Sequence, residues 1–468
     1  MRNGSGLIAA VVSVCGLAGS VVLAAPPEPG VVYDDAPWAV QSCVVDVPLG
    51  SGDVLQRSIP RNGPGDELVD VVFMGDGYTA SEQAEFLADA NAAADDIFAY
   101  EPFISYLPFI DFHFIEVVSN DSGVTNDPVE GIQRDTALEM RYFCNGIERL
   151  LCVNTSTARG IAGFNVPGWD VIVPLANSSK YGGAGYPSVD VATAAAKNSA
   201  AGDIVIHEIG HALGDLADEY TYGGPTQWPG GEPSTENVSI FNSTQMAAQN
   251  RKWAEWLGAS LPGFDNPMTT VEGGNYSVQG IYRPTNNSMM RALGRPFNLV
   301  SAQELIISFH DASDMIRSAT PAPGQVDASG SLTVDVLETA LGPMFVRWVV
   351  NGEVVSQGSG LYSIDVSSLG AVSGDEVRVE VVDDTPWVRN EQAREQVMTE
   401  RVSWEVVSSA CNVADQAAPL GVLDLSDVDR FVIAYVTGFA DADIAAPFGT
   451  VDLSDIDAFI AAFLAGCP

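Results

Sequence analysis

The chain has 468 residues, with 61 Asp and Glu against 21 Lys and Arg and a formal net charge of −40 at pH 7. A surface this acidic repels phosphate backbones, which excludes nucleic acid as the expected partner. The length exceeds what one hydrophobic core serves, so roughly three or four modules are expected.

Arg2, the apolar run Leu7 to Leu23 and then Ala24, Ala25 and Pro26 have the layout of a secretory signal peptide, read as residues 1–24 with cleavage near Ala24. The expected location is therefore secreted or extracellular. No other stretch is long and apolar enough to span a membrane. Export sets how the cysteines are read. Cys15 leaves with the signal, Cys144 and Cys152 are close enough in sequence to pair, Cys411 and Cys467 bracket the C-terminal end, and Cys43 is left over. No CxxC spacing supports a thiolate zinc site.

After a Pro- and Gly-rich lead-in over 25–60, Leu68 to Met74 reads as a buried strand turning at Gly75-Asp76-Gly77. Thr79 and Glu82 have capping-box spacing, and Phe86, Ala90, Ala93 and Ile97 form the apolar stripe of a following helix. Phe112 to Val118 alternates as a strand does, with His113 read as a core histidine. Asp170 to Leu175 is a further strand, and the loop Lys180 to Gly185 carries glycines suited to close backbone approach.

The stretch from His207 to Tyr220 reads HEIGHALGDLADEY. On a helix, residues four apart share a face, so His207 and His211 present two imidazoles to one point, and Glu208 projects beside it. A carboxylate there can take a proton from a water polarised by the metal. Only four His occur in the chain, and two of them fall at this spacing around a Glu. Ser199 and Asp203 offer capping side chains, Ile204, Val205 and Ile206 are apolar enough to be buried, and Gly214 is placed to end the helix. A catalytic zinc normally has three protein ligands. Asp218 is the favoured third, Glu219 is next, and Asp215 requires the helix to continue through Gly214.

These residues resemble the IgA-peptidase family of zinc endopeptidases, whose signature pairs HExxH with a following LADEY, here Leu216 to Tyr220. Three further blocks resemble the family in order: VVFMGDGYT from Val71 to Thr79, NSSKYGGAG from Asn177 to Gly185, and GIYRPTNNSMMR from Gly280 to Arg291. The resemblance covers roughly residues 60–315 and implies an α/β (α+β), metzincin-like peptidase domain over 61–318, with one catalytic zinc and an extracellular protein or peptide substrate. Two departures stand out. Ala217 occupies the place where a metzincin third ligand would follow the glycine, and Ser288 stands where many relatives would carry Cys. The resemblance implies a Met-turn at Ser288, Met289 and Met290, with Met290 as the floor beneath the metal. Tyr282 and Arg283 are weaker candidates for stabilising the oxyanion or gripping the substrate backbone. Zinc peptidases of this type bind substrate as an added strand on a sheet edge, and Val171 to Asn177 is assigned there, an internal strand being the alternative. His310, in the helical stretch Ala302 to Ile316, is read as a surface or packing residue.

Residues 319–330 are rich in Pro, Gly, Ala and Ser and read as a linker. Beyond it the period turns to alternation over Leu332–Leu337, Met344–Val350, Leu361–Val366, Glu376–Val382 and Arg401–Val407, with a hairpin signal at Asn351-Gly352. An all-β, immunoglobulin-like sandwich over 331–408 follows. The end of the chain, 411–468, is an internal repeat in which Asp415–Tyr435 returns as Asp443–Phe463. It resembles a small all-α dockerin module, which implies calcium loops with Asp415, Asp424, Asp427, Asp443, Asp452 and Asp455 as candidate ligands, and a cohesin-like or cell-envelope partner. The other class of function consistent with these modules is a cell-surface anchoring or binding protein built on a non-catalytic peptidase scaffold.

Overall fold

A computed structural model of the chain describes residues 68–408, 411–417 and 420–467. The expected signal peptide, the lead-in and Cys43 lie outside the described residues.

The first sheet is built from runs that are apolar without alternation. β1 (Val69–Asp76) is followed by α1 (Gln83–Ile97), β2 (Ile110–Ile115), α2 (Thr155–Asn165), β3 (Val171–Ala176), β4 (Gly183–Tyr186), β5 (Val191–Ala195) and α3 (Ala201–Ala212). Strand order is β2-β1-β3-β5-β4, parallel throughout except for β4, which runs antiparallel to β5 at the edge. Both faces are covered, which explains the continuous apolar runs. Val71 and Phe73 pack toward α1 and α3, while Val72 and Met74 pack toward α2.

Three local expectations change. Val171–Asn177 is not the sheet edge: β3 lies at the centre with a partner on each side, as a strand buried at every residue must. The edge strand is β4, with sequence GAGY, reached directly from the glycine loop. Neither Ser199 nor Asp203 caps α3; the cap position is Ala200, and Asp203 instead accepts a 2.7 Å hydrogen bond from the Tyr100 hydroxyl. Thr79 does not cap α1, whose cap position is Glu82; instead Glu82 reaches back to the Thr79 N–H at 2.8 Å, and the Thr79 hydroxyl donates to the same carboxylate. The stripe Phe86, Ala90, Ala93 and Ile97 is fully buried.

After α3 come α4 (Ser243–Gln249), the hairpin β6 (Val271–Gly274) with β7 (Ser277–Arg283), and α5 (Leu299–Asp311). Then come β8 (Ile316–Thr320), β9 (Gly324–Asp327), β10 (Ser331–Val336), β11 (Phe345–Val350), β12 (Glu353–Val355), β13 (Ser363–Asp365), β14 (Glu376–Val382), α6 (Glu391–Gln396) and β15 (Thr399–Val407). They form a three-stranded sheet, β13-β10-β8, and a five-stranded sheet, β12-β11-β14-β15-β9. Their inner side chains meet around Trp348 and Trp404, stacked at 6.0 Å. The stretch 319–330 is not a free linker, because it carries the end of β8 and all of β9. Asn351 and Gly352 take positive φ, 50° and 86°, and close the β11–β12 hairpin. At the end, α7 (Leu425–Thr437) and α8 (Leu453–Ala465) repeat one geometry, each begun by an Asp capping box, with Phe431 stacked on Phe459 at 4.2 Å. Disulfides join Cys144 to Cys152 and Cys411 to Cys467. Among the described residues no helix is long and apolar enough to cross a membrane.

One hydrophobic core runs from the α1/α3 side of the first sheet into the β8–β15 sheets. Where they meet, His310 of α5 is buried with its Nε2 2.9 Å from Asp383, whose same oxygen accepts the Tyr106 hydroxyl at 2.5 Å; the Thr385 N–H donates to the other oxygen at 2.9 Å. His310 is thus a joint between modules, not a surface residue. Removing the shared acceptor strands a buried imidazole and a buried phenol. Asp383→Ala is expected to cost about 3 kcal/mol of stability, and Asp383→Asn, which keeps an acceptor, clearly less, as read from urea-unfolding midpoints.

Candidate active site

Helix α3 is anchored by Ile204, Val205, Ile206 and Ile209, all buried, which leaves the opposite face to the cleft. Helical spacing brings the rings of His207 and His211 to 4.8 Å, near perpendicular. Each ring is held by its Nδ1. That of His207 faces the Met289 carbonyl at 3.0 Å and that of His211 the Leu216 carbonyl at 2.5 Å. A carbonyl only accepts, so both Nδ1 atoms carry a proton, and Nε2 is the atom each ring turns toward Asp218 and would offer to a metal on losing its own proton.

The helix ends after Ala212, and Asp215, exposed with φ 46°, turns the chain back. That reversal carries Asp218 to the imidazoles, its Oδ1 3.1 Å from the Nε2 of His207 and 3.3 Å from that of His211. One ligand atom from each of these three residues lies within 4.8 Å of the others. Two imidazoles and a carboxylate, each imidazole oriented by a carbonyl behind it, match the donor set of a catalytic zinc, so the residues fit the ion. Burial disfavours charge on Asp218, yet hydrogen bonds from the two imidazoles override it and hold the carboxyl well below the usual range. For His211 burial acts downward and Asp218 upward, and the balance pushes its pKa up to about 9. Asp218 also accepts a hydrogen bond from the Tyr276 hydroxyl.

Glu219 and Asp215, the other sequence candidates, are not brought to this point. Glu219 is fully buried and faces away, accepting from Ser288 Oγ at 2.7 Å, Asn298 Nδ2 at 2.8 Å and Asn237 Nδ2 at 3.2 Å, while its N–H donates to the Met290 carbonyl at 2.8 Å. Burial pushes its carboxyl up to about 7 against those hydrogen bonds. It ties the turn at Ser288–Arg291 to the helix exit, and the Ser288 hydroxyl is part of that tie. Met290 lies under α3, where a Cβ on Gly210 would be 2.7 Å from its sulfur. A side chain at Gly210 would evict it.

Glu208 stands on the cleft side, under the edge strand. A Cβ on Gly185 would lie 2.7 Å from its Oε2, and one on Gly183 3.5 Å from its Oε1. The glycines of β4 thus let the strand rest on the carboxylate. Burial raises the Glu208 pKa, with the two imidazoles opposing. The cleft is about 840 Å³ and is lined by all four of these helix and ligand residues together with β4, Arg149, Tyr220 and Tyr276. Tyr282 and Arg283 are not among its walls. Arg283 is buried and donates to the carbonyls of Gly273 at 2.7 Å and Asn286 at 3.0 Å, closing the β6–β7 hairpin, and Tyr282 pairs through its backbone with Ser239.

A model of the IgA Peptidase M64 family matches residues 58–268. Over this segment the chain is similar to the IgA peptidase M64 family. The segment spans β1, the glycine loop, α3 and the LADEY segment, while the Gly280–Arg291 block lies beyond the matched residues. The match supports a peptidase as the activity class. No curated protein matches the chain.

Tyr276 and Arg149 escaped the sequence reading. The available signal for Tyr276 was the Gly273-Gly274-Asn275 turn before it, where Tyr276 itself takes φ 66°, uncommon for an aromatic residue. The six C-terminal Asp residues are not gathered around a cation position. They close loops instead: Asp427 accepts from the N–H groups of Gln416, Ala417 and Asp424, Asp455 from those of Ile444, Ala445 and Asp452, and Asp424 and Asp452 cap Ser426 and Ser454. Asp415 and Asp443 accept from Gly421 and Gly449. At equivalent places in the two repeats, Asp415 Oδ1 and Asp443 Oδ1 are buried without a hydrogen-bond partner.

Tyr276→Phe is expected to loosen Asp218 and lower metal affinity about 10- to 100-fold, measured by competition with a chelator, with the fold retained. Gly185→Ala forces β4 or Glu208 aside, and kcat/KM on a protein substrate should fall about tenfold or more while metal affinity stays within about twofold.

Proposed function

We propose that the chain is a secreted, zinc-dependent endopeptidase in which His207, His211 and Asp218 hold the ion and Glu208 is the general base. The observation that carries this reading is the convergence of three ligand atoms within 4.8 Å beside a carboxylate roofed by an edge strand. When bound, zinc supplies Lewis-acid chemistry, polarising the scissile carbonyl and bringing the pKa of water toward ~7. Glu208, with its pKa raised by burial, is a stronger base than an exposed carboxylate, and it accepts the proton and returns it to the leaving amine. Tyr276 keeps Asp218 oriented, and the carbonyls of Met289 and Leu216 keep both imidazoles in the ligating tautomer. Substrate adds as a strand to β4, where Gly185 passes over Glu208.

Secretion is supported by the apolar N-terminal run and by two disulfides, which persist in oxidising compartments. On the C-terminal helix pair Leu425, Val436, Phe439 and Leu464 are exposed, which supports attachment to a cohesin-like or envelope partner as an added role.

Metal analysis and casein hydrolysis of the mature protein test the reading. About one zinc per chain is expected, activity is lost to a chelator and restored by zinc, and Glu208→Ala keeps the metal while kcat falls at least ~100-fold. A wild type without metal, or a Glu208→Ala variant that cleaves as well as wild type, overturns it.

A further inference from the structure

The cleft holds a cation that the proposed hydrolysis leaves without a role. Arg149 sits on the loop closed by the Cys144–Cys152 disulfide, and that loop is docked on the start of β4. The Gly183 N–H donates to the Arg149 carbonyl at 3.3 Å, and Leu150 bridges Gly183 in parallel. A Cβ on Gly182 would lie 2.7 Å from the same carbonyl. The loop therefore takes the outward N–H of Gly183 and ends the free edge of β4 there. Pleating turns the N–H and C=O of Gly185, two residues on, the same way. A peptide added to β4 is thus stopped at one end by the loop. If it continues the antiparallel pattern of β5 and β4, that end is its C-terminal one.

The guanidinium of Arg149 faces the phenol of Tyr220, lies near Tyr222 and Tyr181, and is close enough for its charge to act on Glu208. Among the described residues no carboxylate is ion-paired with it, in a chain carrying 61 acidic residues. Phenols leave a guanidinium un-neutralised, and its planar fork matches a carboxylate. We propose that Arg149 is a specificity residue that takes a substrate carboxylate on the C-terminal side of the scissile bond, borne by an Asp or Glu side chain or by the peptide's own C-terminus. The inference rests on the peptidase reading of this cleft.

Fluorescein-labelled octapeptides of one Ala- and Val-based sequence, with Glu or Gln in the seventh place and a free or amidated C-terminus, separate the two sources. Binding to the full chain is read by anisotropy, and kcat/KM is measured in parallel. Carboxylate-bearing peptides should bind ~10-fold tighter than the neutral one. Arg149→Gln should erase that difference, leave the neutral peptide's Kd within about twofold, and be partly rescued by Arg149→Lys. An advantage for the free-acid Gln peptide identifies the chain terminus, and one for the amidated Glu peptide identifies the side chain. Equal or unmeasurable binding of all four, or a preference that survives in Arg149→Gln, overturns the proposal. A chain that shows the Arg149-dependent preference without hydrolysing any peptide refutes the peptidase reading and keeps this one; a chain that cleaves all four alike does the reverse.

Discussion

Two backbone carbonyls set the chemistry of this molecule. Leu216 and Met289 each accept the Nδ1 proton of one histidine, which turns both Nε2 atoms toward a single point. Without them the rings could rotate or take the other tautomer, and two histidines on a helix would be two unrelated side chains. Leu216 is supplied locally, by the reversal at Asp215. Met289 comes from a turn 82 residues on, and its position depends on Glu219, which binds that turn through Ser288 and the Met290 carbonyl. The buried Glu219 is therefore as important to the site as a ligand would be, although it touches none of the reacting atoms.

The roof of the site follows from the absence of side chains. Gly183 and Gly185 permit β4 to lie on Ile204 and Glu208 at distances no Cβ could share, and Gly210 permits the Met290 sulfur to lie beneath the same helix. α3 is thus gripped from above and below at glycines. The burial that results raises the Glu208 pKa, so the packing that positions the carboxylate also shifts it toward the range useful to a base.

Beyond the site, the all-β part is attached by a continuous core and by the Asp383, His310 and Tyr106 joint. Residues 319–330 look like a linker by composition, yet Pro and Gly there bend the chain between short strands that pair across the boundary. In the C-terminal repeat, carboxylates accept from backbone N–H groups, which closes the loops by hydrogen bonding.

What the sequence by itself determined is what depends on neighbours a few residues away. The four-residue spacing of His207 and His211, the helix stop near Gly214, the apolar stripe of α1, the Asn351-Gly352 hairpin and the closeness of Asp218 to the motif all follow from helical period, turn conformation or short reach. Only the tertiary structure decided which strand is the edge, because a run such as Val171–Ala176 reports burial on both faces but not the order of strands beside it. The same holds for Tyr276, 58 residues from Asp218, and for the choice of Asp218 over Glu219, adjacent carboxylates that the chain reversal points in opposite directions. Local periodicity states which way a side chain faces relative to its own element; what it meets there is set by segments that only folding brings together.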